Sequence, residues 1–228
     1  MNKLIDAKQR LRKGLMQQLL TGRIRFPKFG EPTLKKGTLP GRWIASKLGN
    51  CFKERKETNP ELLLLSITSE RGVILRDEVD RKDSSNADKS KYKRIVPGDI
   101  GYNTMRMWQG VSAVSALEGI VSPAYTICSP KKGNNSLFFG YLFKYPQVIN
   151  LFFRFSQGLV SDTLNLKFRH FSQIKVKIPF EPEQIRIAEV LSACDREIEL
   201  LRDKQEAIRK QKKGLMQKLL TGEVRVKV

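Results

Sequence analysis

From residue 187 onward apolar side chains return at steps of four and three, at Ile187, Leu191, Cys194, Ile198 and Leu201, and then at Ile208, Leu215 and Leu219. That spacing is a heptad seam and predicts a helix that lies against another helix. Gln205 and Lys212 fall on seam positions where an apolar residue is expected; such polar interruptions cost stability and fix register and partner. Upstream, Ile174, Val176 and Ile178 alternate as in a strand, Pro179 ends it, and Pro182 suits a first helical turn with Glu181 and Glu183 at the positive end of the dipole. Lys210, Lys212, Lys213 and Lys218 complement the opposite end and Gly222 supplies a stop. The predicted helix has about 38 residues and is roughly 57 Å long. A seam of that length cannot be buried inside one small domain.

The amino terminus offers a companion. Aligning residues 12–25 with 212–225 gives identity at Lys13, Gly14, Leu15, Met16, Gln17, Leu19, Leu20, Thr21, Gly22 and Arg25, 10 of 14 positions. The chain thus carries KGLMQQLLTG near its start and KGLMQKLLTG near its end, an internal repeat of a helix end. Leu4, Leu11, Leu15 and Leu19 form the shorter first seam, and an antiparallel coiled coil with the long helix is expected.

Between the copies the pattern changes. The stretch FPKFGEPTLKKGTLPGRW is a Pro/Gly-rich connector, and short runs of strand character follow at 43–48, 62–68, 72–75, 95–102 and 119–128. SLFFGYLFKYPQVINLFFRFSQG reads as one or two short helices broken at Tyr145-Pro146, and RKDSSNADKSKYKRI as an exposed loop. The expected class is α+β, a mixed domain with a short N-terminal helix and a long C-terminal heptad helix. The boundaries fall at 1–25 for the N-terminal helix, 26–41 for a linker, 42–180 for the mixed domain and 181–228 for the long helix.

Charge narrows the partner. Across 228 residues Lys and Arg outnumber Asp and Glu by 43 to 23, a formal net charge of +20, which points to a polyanion and first to nucleic acid. No apolar run approaches a membrane span and the amino terminus lacks a signal-peptide core, so a cytoplasmic protein is expected. Cys51, Cys128 and Cys194 are isolated and accompanied by the single His170, which gives no zinc-site pattern. All three read as reduced thiols, with Cys194 buried on the long helix.

Motifs for catalysis are not present. There is no GxxxxGK[ST] loop, no GxGxxG and no GxSxG elbow. Ser122-Pro123-Ala124-Tyr125 lacks the first amide and second proline of an amino-methyltransferase turn. Pro97-Gly98-Asp99 reads as a strand-edge turn rather than the start of a magnesium nuclease motif. No metal or cofactor is expected.

The candidate chemistry is therefore binding. YNTMRMWQGVS sets Asn103, Arg106 and Gln109, side chains able to contact base edges in pairs of hydrogen bonds, beside Met107 and Trp108. Met107 and Trp108 are equally readable as core. Lys131, Lys132, Asn134 and Asn135 surround a glycine after a strand, as either a phosphate-gripping turn or a plain hairpin turn. Arg71, Lys91 and Lys93 flank the polar loop, and Ser161, Lys167 and Arg169 precede the last strand.

Taken in order, TLPGRWIASKLGN, VPGDIGYNTMRMWQGVSAVSALEGIVSPAYTI, FSQIKVKIPFEPEQIRIAEVLSACDREI and KGLMQKLLTG resemble the specificity subunit of Type I restriction-modification systems. In that family two target-recognition domains alternate with two long conserved helices. The resemblance implies the carboxy-terminal half of such a subunit, with residues 42–180 as one target-recognition domain. It implies a chain that reads double-stranded DNA, has no catalytic centre, and recruits methyltransferase subunits and a motor-nuclease subunit through its helices. A half-subunit is expected to pair with itself as a homodimer or with another half, its N-terminal leucines lying on the seam of the partner. A non-specific, coiled-coil architectural nucleic-acid binder is the alternative.

Overall fold

The structure is a computed structural model that describes residues 1–30, 43–68, 71–79, 86, 88–160 and 163–224. Ser161, most of the connector and the first part of the polar loop lie outside the described residues. The chain divides into two compact units, one of residues 18–188 and one of residues 1–17 with 189–228.

The first unit is the mixed domain. Its central sheet is antiparallel in the order β2-β9-β6-β7, built from Phe52–Glu54, Tyr125–Pro130, Ile100–Asn103 and Ser112–Val114. Three two-stranded sheets surround it: β1 (Ile44–Lys47) with β10 (Lys175–Ile178), β3 (Leu65–Ile67) with β4 (Val73–Leu75), and β5 (Lys93–Ile95) with β8 (Gly119–Val121). Two predicted runs are each cut in two. Residues 95–102 turn at Pro97-Gly98, where Gly98 takes φ 89°, and residues 119–128 turn at Ser122-Pro123. The amide-free prolines cannot continue a ladder, which is why hydrophobic content alone overestimates these strands. The end of the expected polar loop is strand as well, since Lys93–Ile95 pairs with Gly119–Val121. Strands β2 and β7 and the short helices α2 (Leu48–Cys51) and α5 (Phe168–Phe171) are too short to show periodicity.

The core is aromatic on one side of the sheet. Helices α3 (Ser136–Leu142) and α4 (Pro146–Phe155) bring Phe138, Phe139, Phe143 and Phe152 against Phe52, Tyr102 and Phe171. Phe52 meets Phe139 edge-on at 4.8 Å, and Tyr102 stacks on Phe171 at 5.2 Å between ring centroids. A second cluster joins Leu65, Ile67, Ile95, Val121 and Ile127. Here Gly119 lets two backbones touch: a Cβ would stand 2.5 Å from the Leu63 carbonyl oxygen, which accepts Ile120 N–H at 2.9 Å. Gly119→Ala is expected to destabilise this unit by about 1–3 kcal/mol through forced displacement, measured as a lower urea midpoint.

An ion pair closes the domain where its two chain ends meet. Helix α6 (Glu181–Leu220) begins inside the unit, and Glu183 accepts from Arg25 Nε at 2.8 Å and Nη2 at 2.7 Å, both side chains being 1 % exposed. Trp43 Nε1 donates to the same carboxylate at 3.2 Å. The hydrogen bond to Glu183 raises the Arg25 pKa further, so this guanidinium stays charged. Gln184 completes the anchor, donating to Pro179 O and accepting Asn135 N–H, each at 2.9 Å. Sequence reasoning assigned Glu183 to the helix dipole and missed that it is the counter-charge of the repeat's own arginine.

The second unit is an antiparallel helix pair. Residues of α1 (Asn2–Leu19) meet α6 in reversed order: Asn2 with Gln205, Lys8 with Glu197 at 2.6 Å, and Arg12 with Asp195. The expected α1 seam is rotated. Leu4 and Leu11 are 46 % and 52 % exposed and Leu15 is half-buried; of the expected seam only Leu19 is buried, and the other buried apolar positions of α1 are Ile5 and Met16. Lys8 and Arg12 share that inner stripe at helical spacing, so ion pairs fix a face turned about 100° from the leucines, one residue's rotation. On α6 Leu191 and Ile198 are buried, Cys194, Leu201 and Gln205 half-buried, and Ile208, Leu215 and Leu219 exposed. Cys51 and Cys128 are the buried thiols, not Cys194.

Both repeat copies fold locally alike. Each helix ends in Thr-Gly with glycine left-handed, φ 69° at Gly22 and 74° at Gly222, and each threonine hydroxyl donates back to residue Gln18 or Gln217. Their surroundings differ. Leu19 and Leu20 are buried, whereas Leu219 and Leu220 are exposed. No helix among the described residues is long and apolar enough to cross a membrane.

Candidate nucleic-acid interface

The central sheet sorts the candidate residues to its two ends. Asn103 pairs with Tyr125 at the start of β9, and Lys131 follows Pro130 at its finish, about 20 Å away at the rise of an extended strand.

At the Tyr125 end, residues 103–111 form a closed loop between β6 and β7. Asn103 Oδ1 accepts Met105 N–H at 2.9 Å, Val111 N–H reaches Arg106 O, and a 3-10 turn over Met107–Gln109 ends at Gly110, left-handed at φ 79°. This geometry separates side chains the sequence left open. Met107 is fully buried core, while Arg106 and Gln109 are exposed and Trp108 half-exposed. Trp108 Nε1 donates to Met105 O at 2.9 Å and its ring meets Phe153 edge-on at 6.3 Å. Among the described residues Arg106 forms no ion pair, so its guanidinium is available. Asn103, by contrast, holds the loop with its oxygen, leaving its amide nitrogen to donate.

Two further segments reach the same end. Leu166 N–H donates to Thr104 O at 2.8 Å, which sets Lys167 and Arg169, both exposed, beside the loop. Tyr125 OH donates to Ile67 O at 3.4 Å, which brings Thr68, Arg71 and Gly72 there as well. Arg71 is held by Glu78, at 2.7 Å to its carboxylate and 2.9 Å to its carbonyl. Lys93 turns inward to Tyr125 O at 2.6 Å, and burial lowers its pKa. Its neighbour Lys91 is exposed.

The far end holds a different turn. Asn135 caps α3 by accepting Phe138 N–H at 2.9 Å, and Asn134 closes the turn by donating to Lys131 O and Lys132 O. Lys131 Nζ donates to Gly49 O at 2.7 Å. Three of these four side chains thus have structural partners, and Lys132 stands exposed with none among the described residues. The plain-turn alternative accounts for the asparagines.

Asp99 in the Pro97-Gly98-Asp99 turn is engaged by Arg55 at 2.6 and 3.3 Å and by Val96 N–H at 3.2 Å. It is a buried turn anchor. Among the described residues no cluster of three His, Cys, Asp or Glu side chains is assembled. What the Tyr125 end offers is guanidinium, amide and ammonium groups around a half-exposed indole, chemistry suited to phosphate oxygens and base edges. Phe153 and Thr104 belong to this end and were not foreseen; each acts through a tertiary contact that has no local sequence signature.

Residues 110–210 match the family described as the Type I restriction modification DNA specificity domain. Two curated relatives from Methanocaldococcus jannaschii are each 27 % identical over 99 % of this chain: the putative type I restriction enzyme MjaX specificity subunit and the type I restriction enzyme MjaVIII specificity subunit. The chain spans about half the length of these relatives, 53 % and 56 %. The fold is similar to the HsdS subunit from Thermoanaerobacter tengcongensis, with a TM-score of 0.55 and 15 % identity over 98 % of this chain and 54 % of that one. It is similar also to the Type-I restriction-modification system S subunit from M. genitalium, with a TM-score of 0.57 and 12 % identity over 96 % and 55 %.

Proposed function

We propose that the chain is a member of the Type I restriction-modification specificity family, and that its mixed domain reads a short sequence in double-stranded DNA and directs methyltransferase and motor-nuclease subunits to it. The supporting observation is the loop over residues 103–111. A buried Met107 and a set of backbone hydrogen bonds hold it, while the exposed Arg106 and Gln109 side chains have no hydrogen-bond or ion-pair partner among the described residues. Arg106 suits a guanine edge and Gln109 an adenine edge. Trp108 supplies the apolar surface between them. Lys167, Arg169, Arg71 and Lys91 supply attraction to the phosphates.

Lys132 and Arg169 should behave as phosphate contacts. Lys132→Ala and Arg169→Ala are each expected to weaken cognate and scrambled duplexes equally and to make the dependence of log K on log salt shallower by about 0.9. Filter binding across a salt series measures this, and a loss confined to the cognate duplex would reassign the residue to base contact.

The helical unit carries the assembly. Leu4 and Leu11 on α1 and Ile208, Leu215 and Leu219 on α6 remain exposed although α1 already lies on α6 within the chain. Exposed apolar side chains at heptad spacing suit a further helix. A second copy of the chain, paired by a two-fold axis, would cover these side chains and bring two recognition domains together. Sedimentation at micromolar concentration should give the dimer mass, and Leu215→Glu combined with Leu219→Glu should return the monomer.

A further inference from the structure

One basic side chain beside the recognition loop faces inward. Lys144 sits between α3 and α4, and its Nζ donates to Gly110 O at 2.6 Å and to Ser112 O at 2.7 Å. Those two carbonyls are where the chain leaves the 103–111 loop and enters β7. The site is tight. A Cβ on Gly110 would stand 2.9 Å from Ile149 Cδ1 of α4, so helix and loop are fitted together at that glycine.

We propose that Lys144 is the positioning residue of the recognition loop, fixing through the Gly110 and Ser112 carbonyls the orientation in which Arg106 and Gln109 meet DNA. The inference rests on the reading that this loop contacts bases. Lys144 itself is half-buried, its ammonium engaged by the loop carbonyls. Two short charge-assisted bonds from one ammonium restrain two carbonyls on either side of a single residue, Val111, and so restrain the direction in which the loop departs from the sheet. Specificity sites depend on such support, because an exposed side chain is only as well aimed as the backbone beneath it.

The ammonium stands among apolar residues. Segments 107–114, 136–143 and 145–153, which pack around it, contain no aspartate or glutamate; their ionisable groups are Tyr141 and Tyr145, with Arg106 and Arg154 just outside them. Burial without a counter-ion lowers the Lys144 pKa from 10.5 to about 8. The sign of the linkage matters. A lysine whose folded pKa is depressed holds fewer protons when folded than unfolded between about pH 8 and its ordinary value, so this group's contribution to stability rises with pH across that window. Its bonds to the loop, however, weaken when the ammonium becomes an amine. Loop aim and global stability therefore move in opposite directions as pH rises, a behaviour that a purely structural lysine would not show.

The test uses the full chain, a duplex recovered from a randomised pool by selection, and a scrambled duplex of the same length. The ratio of the two affinities is expected to fall several-fold in the wild type between about pH 7 and 9, while the thermal midpoint does not fall. Lys144→Met is expected to lower the ratio at least ten-fold at pH 7 and to abolish its pH dependence. Arg106→Ala serves as the reference. If Arg106→Ala lowers the ratio and the wild-type ratio is flat with pH, the positioning role is overturned while base reading by the loop stands. If Arg106→Ala leaves the ratio unchanged, the loop is not the reader and both readings are overturned. Should Lys144→Met fail to fold, the wild-type pH profile alone decides.

Discussion

Glu183→Ala is expected to lower the stability of the mixed domain by about 3–5 kcal/mol, seen in urea as an earlier midpoint with an unchanged slope. The carboxylate is 1 % exposed and takes three hydrogen bonds, two from Arg25 and one from Trp43. Its removal leaves a guanidinium buried with no counter-charge and an indole N–H unsatisfied. Arg25→Ala should be equally severe for the mirrored reason, a buried carboxylate without its partner. Replacing both residues by methionine should recover much of the loss, because two apolar side chains of similar volume leave neither charge stranded. A loss below about 1 kcal/mol for Glu183→Ala, the level of an exposed pair, would show that the pair is solvated in solution.

Arg106→Ala and Gln109→Ala are each expected to relax one base position of the recognised sequence, costing about 1–3 kcal/mol against the cognate duplex and little against a scrambled one. Both side chains are exposed on a loop whose backbone is hydrogen-bonded at Asn103, Arg106 and Gly110, so truncation removes contacts without loosening the support. Competition binding against single-position substitutions of the selected duplex measures the effect. Equal losses on cognate and scrambled DNA would make these residues phosphate contacts.

The long helix, its Pro-punctuated start, the Thr-Gly stop and the repeat at the two chain ends were all legible in the sequence, because each is set by local chemistry. The face that α1 turns to α6 was not. Leucines at 4, 11 and 15 carry the stronger apolar signal, but Lys8 and Arg12 meet Glu197 and Asp195 and rotate the helix by one residue. Long-range ion pairs of this kind leave no periodicity. The same limit applies to Glu183, whose partner lies 158 positions earlier in the chain.

In the candidate interface the loop over residues 103–111 was visible from its mixture of arginine, amides and aromatic residues, while the division of labour inside it was not. Met107 and Trp108 are adjacent in sequence, yet one is core and the other lies on Phe153 near the surface. Lys131, Asn134 and Asn135 read as either a phosphate turn or a plain turn because the residues that fold a turn and those that grip a phosphate are the same types. Their hydrogen bonds to Gly49, Lys131, Lys132 and Phe138 are those of a folded turn.

The most direct measurement is selection from a pool of randomised duplexes at about 150 mM salt, where purely electrostatic binding is weak, with the cognate methyltransferase subunits present. The proposed function predicts enrichment of two short inverted elements around a fixed gap, one element for each recognition domain of a two-fold dimer. A single element would retain sequence recognition and remove the dimer. Recovery of no common sequence would contradict the central claim and leave a non-specific, coiled-coil architectural binder as the account of the chain.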